Sequence, residues 1–142
     1  MNERIVKFIS SQKCLTICTV ENNQPYCANC FYAYIPEDNF LIFKSDKNTK
    51  HVSQALINNN VAGTILPDVE QTGTIKGIQF TGIFSFPSGY LIENAKKVYY
   101  NRFPFALAVP GELWTLELIS VKMTDNSFGF GKKICWQKHN CL

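Results

Sequence analysis

Apolar positions recur with two different periods along this chain, and the pattern predicts strands interrupted by three helices. The predicted helices cover residues 3–12, 49–58 and 90–102. Asn2 is a suitable N-cap for the first helix and Ser88 for the third, which must end before Pro104.

Six longer strands are predicted, and they are joined by turns rich in Asn, Asp, Pro and Gly. They cover residues 14–20, 25–34, 40–44, 61–66, 74–86 and 113–123. Residues 128–131 and 134–136 are expected to form one more short pairing with each other. Gly77 and Gly82 indicate a β-bulge or a close backbone approach in the fifth strand.

The turn between the first two strands fixes their register. With an Asn-Asn pair at its tip, Val20 faces Pro25 and Cys18 faces Cys27. Val20 and Pro25 then form a non-hydrogen-bonded pair, where the missing amide hydrogen of proline does no harm. Strands with short turns and inserted helices predict a single antiparallel α+β domain, mainly β, over residues 1–142. A closed barrel is expected because closure removes exposed strand edges.

Composition limits the classes of function. With 46% hydrophobic and 18% charged residues, the chain has the composition of a folded globular domain. A formal net charge of +3 is too small to indicate nucleic acid as a partner. No apolar run approaches the roughly 20 residues needed to span a bilayer, and the N-terminal segment is amphipathic rather than signal-like. A cytoplasmic protein with no membrane partner is expected.

The six cysteines are expected to be free thiols, because no secretory signal is predicted. They are Cys14, Cys18, Cys27, Cys30, Cys135 and Cys141. Cys27 and Cys30 have C-x-x-C spacing inside a strand, where positions three apart point to opposite faces, so no metal site is predicted. Cys18 and Cys27 are neighbours across the hairpin. A reduced pair is favoured, and the sequence leaves open whether they are linked.

The richest chemistry lies where the third strand meets the second helix. Lys44 and Ser45 end the strand, and Thr49, Lys50 and His51 begin the helix. Hydroxyls, cationic groups and helix-start amides together suit a phosphate group, while the alternative is a solvated lysine-bearing loop. The helix dipole disfavours the protonated form of His51. No spacing marks a nucleophile with its base, so no catalytic residue is assigned.

A second cationic segment is Gly129-Phe-Gly131-Lys132-Lys133. It lacks the spacing of a nucleotide phosphate loop and is interpreted as a glycine-rich turn. Lys132 is a candidate for contacting an anion across a subunit interface.

Blocks of residues in a characteristic order resemble the flavin-binding split-barrel proteins related to pyridoxamine-phosphate oxidase, and most closely their YhbP-type branch. These blocks are Pro25-Tyr-Cys-Ala-Asn-Cys-Phe-Tyr32, Phe40 to His51, Val61-Ala-Gly-Thr64, Gly77-Ile-Gln-Phe-Thr-Gly82, Tyr100-Asn-Arg-Phe-Pro104 and Thr124 to Lys133. The resemblance covers nearly the whole chain.

The resemblance implies a six-stranded antiparallel split β-barrel with a few flanking helices, a homodimer, and FMN bound at the dimer interface. In this reading the second strand runs along the flavin ring, the helix start holds the phosphate, and the fifth strand adds a further side chain. The implied cofactor-binding residues, with Lys132 added, are Cys27, Asn29, Lys44, Ser45, Thr49, Lys50, His51, Lys76, Gln79 and Lys132.

Two departures from the oxidases narrow the expected function. Cys27 stands where they have an arginine, and Lys50-His51 replaces their Arg-Lys pair, which removes bidentate phosphate contacts. The chain also lacks their C-terminal Arg-x-His substrate motif. We therefore expect an FMN-dependent oxidoreductase of an unknown small molecule, and not a pyridoxamine-phosphate oxidase. The alternative is a non-catalytic dimeric protein that binds another anionic aromatic ligand, such as haem or a deazaflavin.

Overall fold

The computed structural model describes residues 1–129 and 131–139, without the side chain of Phe128. Within these residues it contains three α-helices and seven strands. They are α1 (Glu3–Ser11), β1 (Cys14–Glu21), β2 (Gln24–Ile35), β3 (Phe40–Ser45), α2 (Lys50–Ile57), β4 (Asn60–Ile65), β5 (Lys76–Ser85), α3 (Leu91–Arg102), β6 (Glu112–Asp125) and β7 (Lys133–Gln137). Short 3₁₀ turns cover Pro104–Ala108 and Asn126–Phe128.

The strands form a closed antiparallel barrel with one added strand. Their order is β3-β2-β1-β4-β5-β6-β7, and an additional pairing of β3 with β6 closes the ring of six strands. The long strand β6 makes this closure possible, because residues 112–117 pair with β3 and residues 120–124 pair with β7. The predicted split-barrel fold is confirmed.

The β1–β2 hairpin has the predicted register. Val20 pairs with Pro25, and Cys18 pairs with Cys27. The two asparagines at the tip have φ values of 49° and 59°, the left-handed conformation that a two-residue turn of this kind requires. Asparagine adopts this conformation more readily than other non-glycine residues, so the turn and the register follow from local chemistry.

The fifth strand contains the predicted irregularity. The register with β6 shifts between Thr81 and Gly82, which marks a β-bulge. A Cβ atom on Gly82 would lie 2.8 Å from the carbonyl oxygen of Glu117. Gly77 also has a backbone neighbour, since its Cβ would lie 3.2 Å from the carbonyl oxygen of Ile65.

Apolar side chains fill the barrel and a smaller layer beneath α3. Trp114, Tyr32, Phe43 and Phe84 are among the largest fully buried side chains. Helix α1 adds buried apolar residues to this core, and its N-terminus is capped as predicted, because the Asn2 side chain accepts a hydrogen bond from the Arg4 amide. Of the helices in the described residues, none is long and apolar enough to cross a membrane.

Two local predictions were wrong. Residues 134–136 do not pair with the described residues 128, 129 and 131, because β7 instead extends the sheet by pairing with β6. Residue 130 of that predicted segment lies outside the described residues. Ser88 does not cap α3, whose N-cap position is Tyr90 without a side-chain capping bond. The backbone carbonyl of Ser88 accepts a hydrogen bond from the Leu91 amide instead.

Candidate functional site

The start of α2 collects several of the predicted site residues. Thr49 occupies the N-cap position, but its side chain makes no capping hydrogen bond. Its hydroxyl instead donates to the Asp46 carbonyl at 2.8 Å and lies 3.4 Å from the Ser45 hydroxyl. The amide groups of the first helical turn are therefore not capped by the Thr49 side chain, and they give this end of the helix a positive potential.

Two carboxylates moderate the charge of the loop that precedes α2. Asp46 accepts a hydrogen bond from the Asn48 amide at 2.7 Å, and Glu112 accepts one from the Lys47 amide at 3.2 Å. Both bonds hold the loop in place between β3 and the helix. The same bonds bring negative charge near the helix start, so an anion bound there depends on a nearby cation.

His51 points into the protein and does not supply the cation that an anion at this helix start needs. Its side chain is buried, and its Nε2 atom lies 2.8 Å from the Ser45 hydroxyl and 4.0 Å from the Cys30 sulfur. Burial lowers the pKa of His51 below its ordinary value of 6.5. A neutral imidazole at neutral pH orients the Ser45 hydroxyl but adds no positive charge to the helix start.

The two lysines of this segment differ in position. Lys50 is exposed, and its ammonium group lies 4.8 Å from the centre of the Tyr26 ring on β2. Lys44 instead donates a hydrogen bond to the Ala106 carbonyl at 2.7 Å, and it lies over the Tyr100 ring. Lys50 is therefore the cation that the first turn of α2 presents to solvent.

A groove of about 690 Å³ crosses the outer face of the barrel. It is lined by residues of β1, β4, β5, β6 and β7. The small and polar ones include Cys18, Ala62, Thr64, Gln79, Thr81, Ser120, Lys122 and Cys135, and Phe80, Val121 and Trp136 add apolar surface. The Thr81 and Ser120 hydroxyls bond to each other at 2.6 Å, whereas Gln79 is exposed between Thr64 and Lys122 in the register. This face can accept a flat ligand or another sheet.

The two predicted site residues on the outer face of β2 each have a partner on β1. The Asn29 side-chain oxygen accepts a hydrogen bond from the Thr16 hydroxyl at 2.7 Å. The Cys27 sulfur lies 2.9 Å from the Cys18 sulfur. Cys30, three residues further, is buried on the opposite face of the strand, as its spacing predicts.

The remaining two predicted residues lie apart from the start of α2. Lys76 pairs with Asp125 at 3.6 Å, and Lys132 is exposed in the turn before β7. Burial acts to raise the pKa of the Asp125 carboxyl, but hydrogen bonds from Ser127 and the charge of Lys76 outweigh it and lower that pKa. Lys76 therefore has a structural partner within the chain.

Sequence reasoning missed Tyr26 and, of the residues that line the groove, named only Gln79 as a candidate site residue. Tyr26 becomes relevant only because α2 packs against the hairpin, a contact between distant parts of the chain. The polar residues of the groove could have been found from the local sequence. Alternate positions of β5 and β6, such as Gln79 and Thr81 or Ser120 and Lys122, carry polar side chains that face away from the barrel core.

The burial of His51 predicts a pH dependence of stability. Between the lowered pKa in the folded protein and the ordinary value of 6.5, the unfolded chain binds more protons. The free energy of unfolding should therefore fall as the pH decreases through that ordinary value. His51→Gln should have a shallower decline than the wild type in urea unfolding between about pH 7 and 5.

His139→Gln is the matched control, because His139 is exposed near the end of the described chain. It should retain the wild-type decline. A His51→Gln protein with the full wild-type slope would show that another group causes the pH dependence.

Comparison with solved structures gives the class of fold. A haem-binding protein from Mycobacterium smegmatis aligns with a TM-score of 0.79 at 12% identity, over 92% of this chain and 55% of that chain. This chain thus spans about half the length of that protein. A FAD-binding protein from Mesorhizobium loti aligns with a TM-score of 0.71 at 15% identity, over 88% of this chain and 94% of that chain. This chain has the split-barrel fold of these proteins.

Sequence comparison gives the family. No model of a known protein family matches the chain. A UPF0306 protein from Photorhabdus laumondii is 40% identical over 134 residues, which are 94% of each chain. The chain belongs to the UPF0306 family.

Proposed function

We propose that this chain is an FMN-binding flavoprotein of the YhbP-type branch of the split-barrel proteins. The observation that carries the proposal is the start of α2. There the uncapped amides of the first turn, the hydroxyls of Ser45 and Thr49 and the ammonium group of Lys50 occur together. A phosphate group accepts hydrogen bonds from the amides and the ammonium group, the Thr49 hydroxyl can turn to it from the Asp46 carbonyl, and the helix dipole adds to the attraction.

The second part of the proposal concerns the outer groove. An open groove on one protomer covers only one side of a flat flavin ring. We infer that a second copy of the chain closes the site. One protomer then supplies the start of α2 and the outer face of β2, and its partner supplies the groove, where Gln79 and Lys122 are further donors. The small side chains of this face leave room for such a contact.

The proposed chemistry is the oxidation or reduction of a small molecule. Bound FMN supplies the electron transfer at its ring system. The chain holds the phosphate at α2, orients the ring along the backbone of β2 and limits the access of water. His51 keeps the Ser45 hydroxyl in place through the 2.8 Å contact of its Nε2 atom.

A second candidate is a non-catalytic protein that binds another anionic aromatic ligand. The fold shared with a haem-binding protein supports haem as one such ligand. The position of His51 disfavours it, because this imidazole is buried and already contacts Ser45. A deazaflavin with a phosphate group satisfies the same features of the α2 start as FMN, so the two cofactors must be compared directly.

Titration with FMN tests the proposal. The wild-type protein should quench FMN fluorescence in a saturable manner. Lys50→Ala should weaken binding about tenfold, since a charged hydrogen bond to phosphate is worth on the order of 1.4 kcal/mol. Lys97→Ala makes the same change of charge on an exposed position of α3 and should leave the affinity unchanged.

Three further outcomes separate the alternatives. A protein that ignores FMN but gives a saturable absorption change with haem or a deazaflavin supports the second candidate. Equal affinities of Lys50→Ala and Lys97→Ala would contradict a phosphate site at α2. Sedimentation that shows a monomer with FMN bound would contradict a site shared by two copies.

A further inference from the structure

Two cysteine thiols face each other across the β1–β2 hairpin. Cys18 and Cys27 are directly opposite in the register, and their sulfur atoms lie 2.9 Å apart. Cys27 is exposed and Cys18 is half-buried, and both side chains lie on the outer face of the barrel. Neither thiol has a role in the barrel core.

The backbone at this position is suited to a disulfide bond. Counting from the two-residue turn, Cys18 and Cys27 form a non-hydrogen-bonded pair, like Val20 and Pro25. Such pairs have Cα atoms about 4.5 Å apart, which lies within the usual disulfide range of roughly 4.4–6.8 Å. The bond therefore requires rotation of the side chains, with the strands kept in their present register.

We propose that Cys18 and Cys27 form a thiol–disulfide exchange site that low-molecular-weight disulfides of the glutathione type oxidise to an intramolecular cross-strand disulfide. The site does not depend on the binding of a flavin. It adds a reversible covalent modification at the edge of the outer groove, which Cys18 lines.

The exchange proceeds in two steps. In the first, the Cys27 thiolate attacks one sulfur of the small disulfide, which forms a mixed disulfide and releases one small thiolate. In the second, Cys18 loses its proton and attacks the Cys27 sulfur, which releases the other small thiol. The protein loses two electrons and two protons, and the small disulfide is reduced to two thiols.

The environment of the two thiols determines which attacks first. Burial, together with the hydrogen bond and charge of Cys27, raises the pKa of Cys18 to about 11. A thiolate is the attacking species, so Cys18 is poorly suited to the first step. The exposed Cys27 meets the oxidant in solution. Cys18 is then already in contact with the sulfur that it attacks in the second step.

The other described cysteines lack this arrangement. Burial raises the pKa of Cys30 to about 12, and its side chain lies inside the barrel. Cys14 and Cys135 are exposed, and the Cys14 sulfur lies 3.8 Å from the backbone carbonyl oxygen of Leu15. Cys141 lies outside the described residues. Among the described cysteines, Cys18 and Cys27 are the two whose sulfur atoms contact each other.

Oxidised glutathione is the probe for the test, followed by mass spectrometry without reducing agent. No lysine or arginine lies between Lys13 and Lys44, so trypsin leaves both cysteines in one peptide. Cleavage after Glu21 places Cys14 and Cys18 on one peptide and Cys27 and Cys30 on the other, and fragmentation of the linked pair assigns the bond. The wild-type protein should yield a peptide pair linked through Cys18 and Cys27 with no glutathione on either residue, and dithiothreitol should restore both thiols.

Single variants test the order of attack. Cys18→Ser should accumulate a stable glutathione adduct at Cys27, because the second thiol is missing. Cys27→Ser should form several-fold less adduct at Cys18. Cys14→Ser and Cys135→Ser are the matched controls and should still form the internal disulfide. Circular dichroism establishes that each variant is folded.

Two results would overturn the proposal. One is a wild-type protein in which Cys18 and Cys27 both remain open to alkylation after the oxidant has modified exposed Cys14 or Cys135. The other is a Cys27 that links mainly to a thiol other than Cys18. Equal adduct formation by Cys18→Ser and Cys27→Ser would contradict the assignment of Cys27 as the first nucleophile.

Discussion

Replacement of Gly63 by alanine is expected to cost about 3 kcal/mol or more of unfolding free energy, which is at the upper end of the usual range for overpacking. A Cβ atom on Gly63 would lie 2.3 Å from the ring of Phe80 and 2.3 Å from the carbonyl oxygen of Thr16. The Phe80 ring can rotate, but the Thr16 oxygen belongs to the backbone of β1. The β1–β4 pairing must therefore open to accept a methyl group.

Gly89→Ala is the control for this variant. Gly89 has a φ of +58°, and nothing lies within 4 Å of its Cβ position. Alanine there meets only the conformational cost of the left-handed region, about 1–2 kcal/mol. Urea unfolding should show the larger loss for Gly63→Ala. Similar losses for the two variants would mean that the barrel accommodates a side chain at residue 63.

Gly63 and Gly82 show what the sequence could and could not predict about the fold. Gly82 interrupts a long strand pattern, so a bulge or close approach was expected and is observed. Gly63 is required because β1 and β5 both flank β4 at this point. The residues next to Gly63 in the sequence do not indicate which strands pair with β4.

The same distinction applies to the strands. The β1–β2 register follows from a two-residue turn, and it was predicted correctly because both strands adjoin that turn. The pairing of β7 was predicted wrongly, because its partner β6 extends well beyond the point where it leaves β3. A strand that pairs with two partners in succession keeps one continuous alternation of apolar and polar residues. Its sequence therefore does not show where the partner changes.

Charge at the candidate site was harder to predict than its location. Lys50 and His51 are adjacent in sequence, and both were expected at the phosphate site. The structure exposes Lys50 and buries His51 against Ser45, since successive helical residues point in different directions. Lys44 was expected beside them, but a carbonyl in the distant 3₁₀ turn binds its ammonium group.

Trp114→Ala is expected to destabilise the barrel by about 3–5 kcal/mol, a large share of the roughly 5–15 kcal/mol typical of a whole domain. Trp114 is fully buried, and its ring lies 4.9 Å from Phe84 and 4.4 Å from Phe86 between centroids. Its indole N–H donates to the Ser45 carbonyl at 2.9 Å. Trp114 thereby joins the core to the strand end that precedes α2.

Trp114→Phe separates the two roles of this side chain. Phenylalanine keeps an aromatic ring in the core but leaves the Ser45 carbonyl without its donor, which should cost about 1–3 kcal/mol for the lost hydrogen bond. Trp136→Phe, on the partly buried strand β7, is the matched control and should have a smaller effect. Thermal unfolding followed by circular dichroism measures all three variants.

The FMN affinity of the folded variants extends this prediction to the site. If the Ser45 strand end helps to hold the phosphate, Trp114→Phe should bind FMN more weakly than the wild-type protein at a temperature where both are folded. Equal affinities for FMN, together with a clearly lower stability of Trp114→Phe, would show that Trp114 stabilises the core but does not contribute to the phosphate site. Equal stabilities of Trp114→Ala and Trp136→Phe would contradict the central position of Trp114 in the barrel.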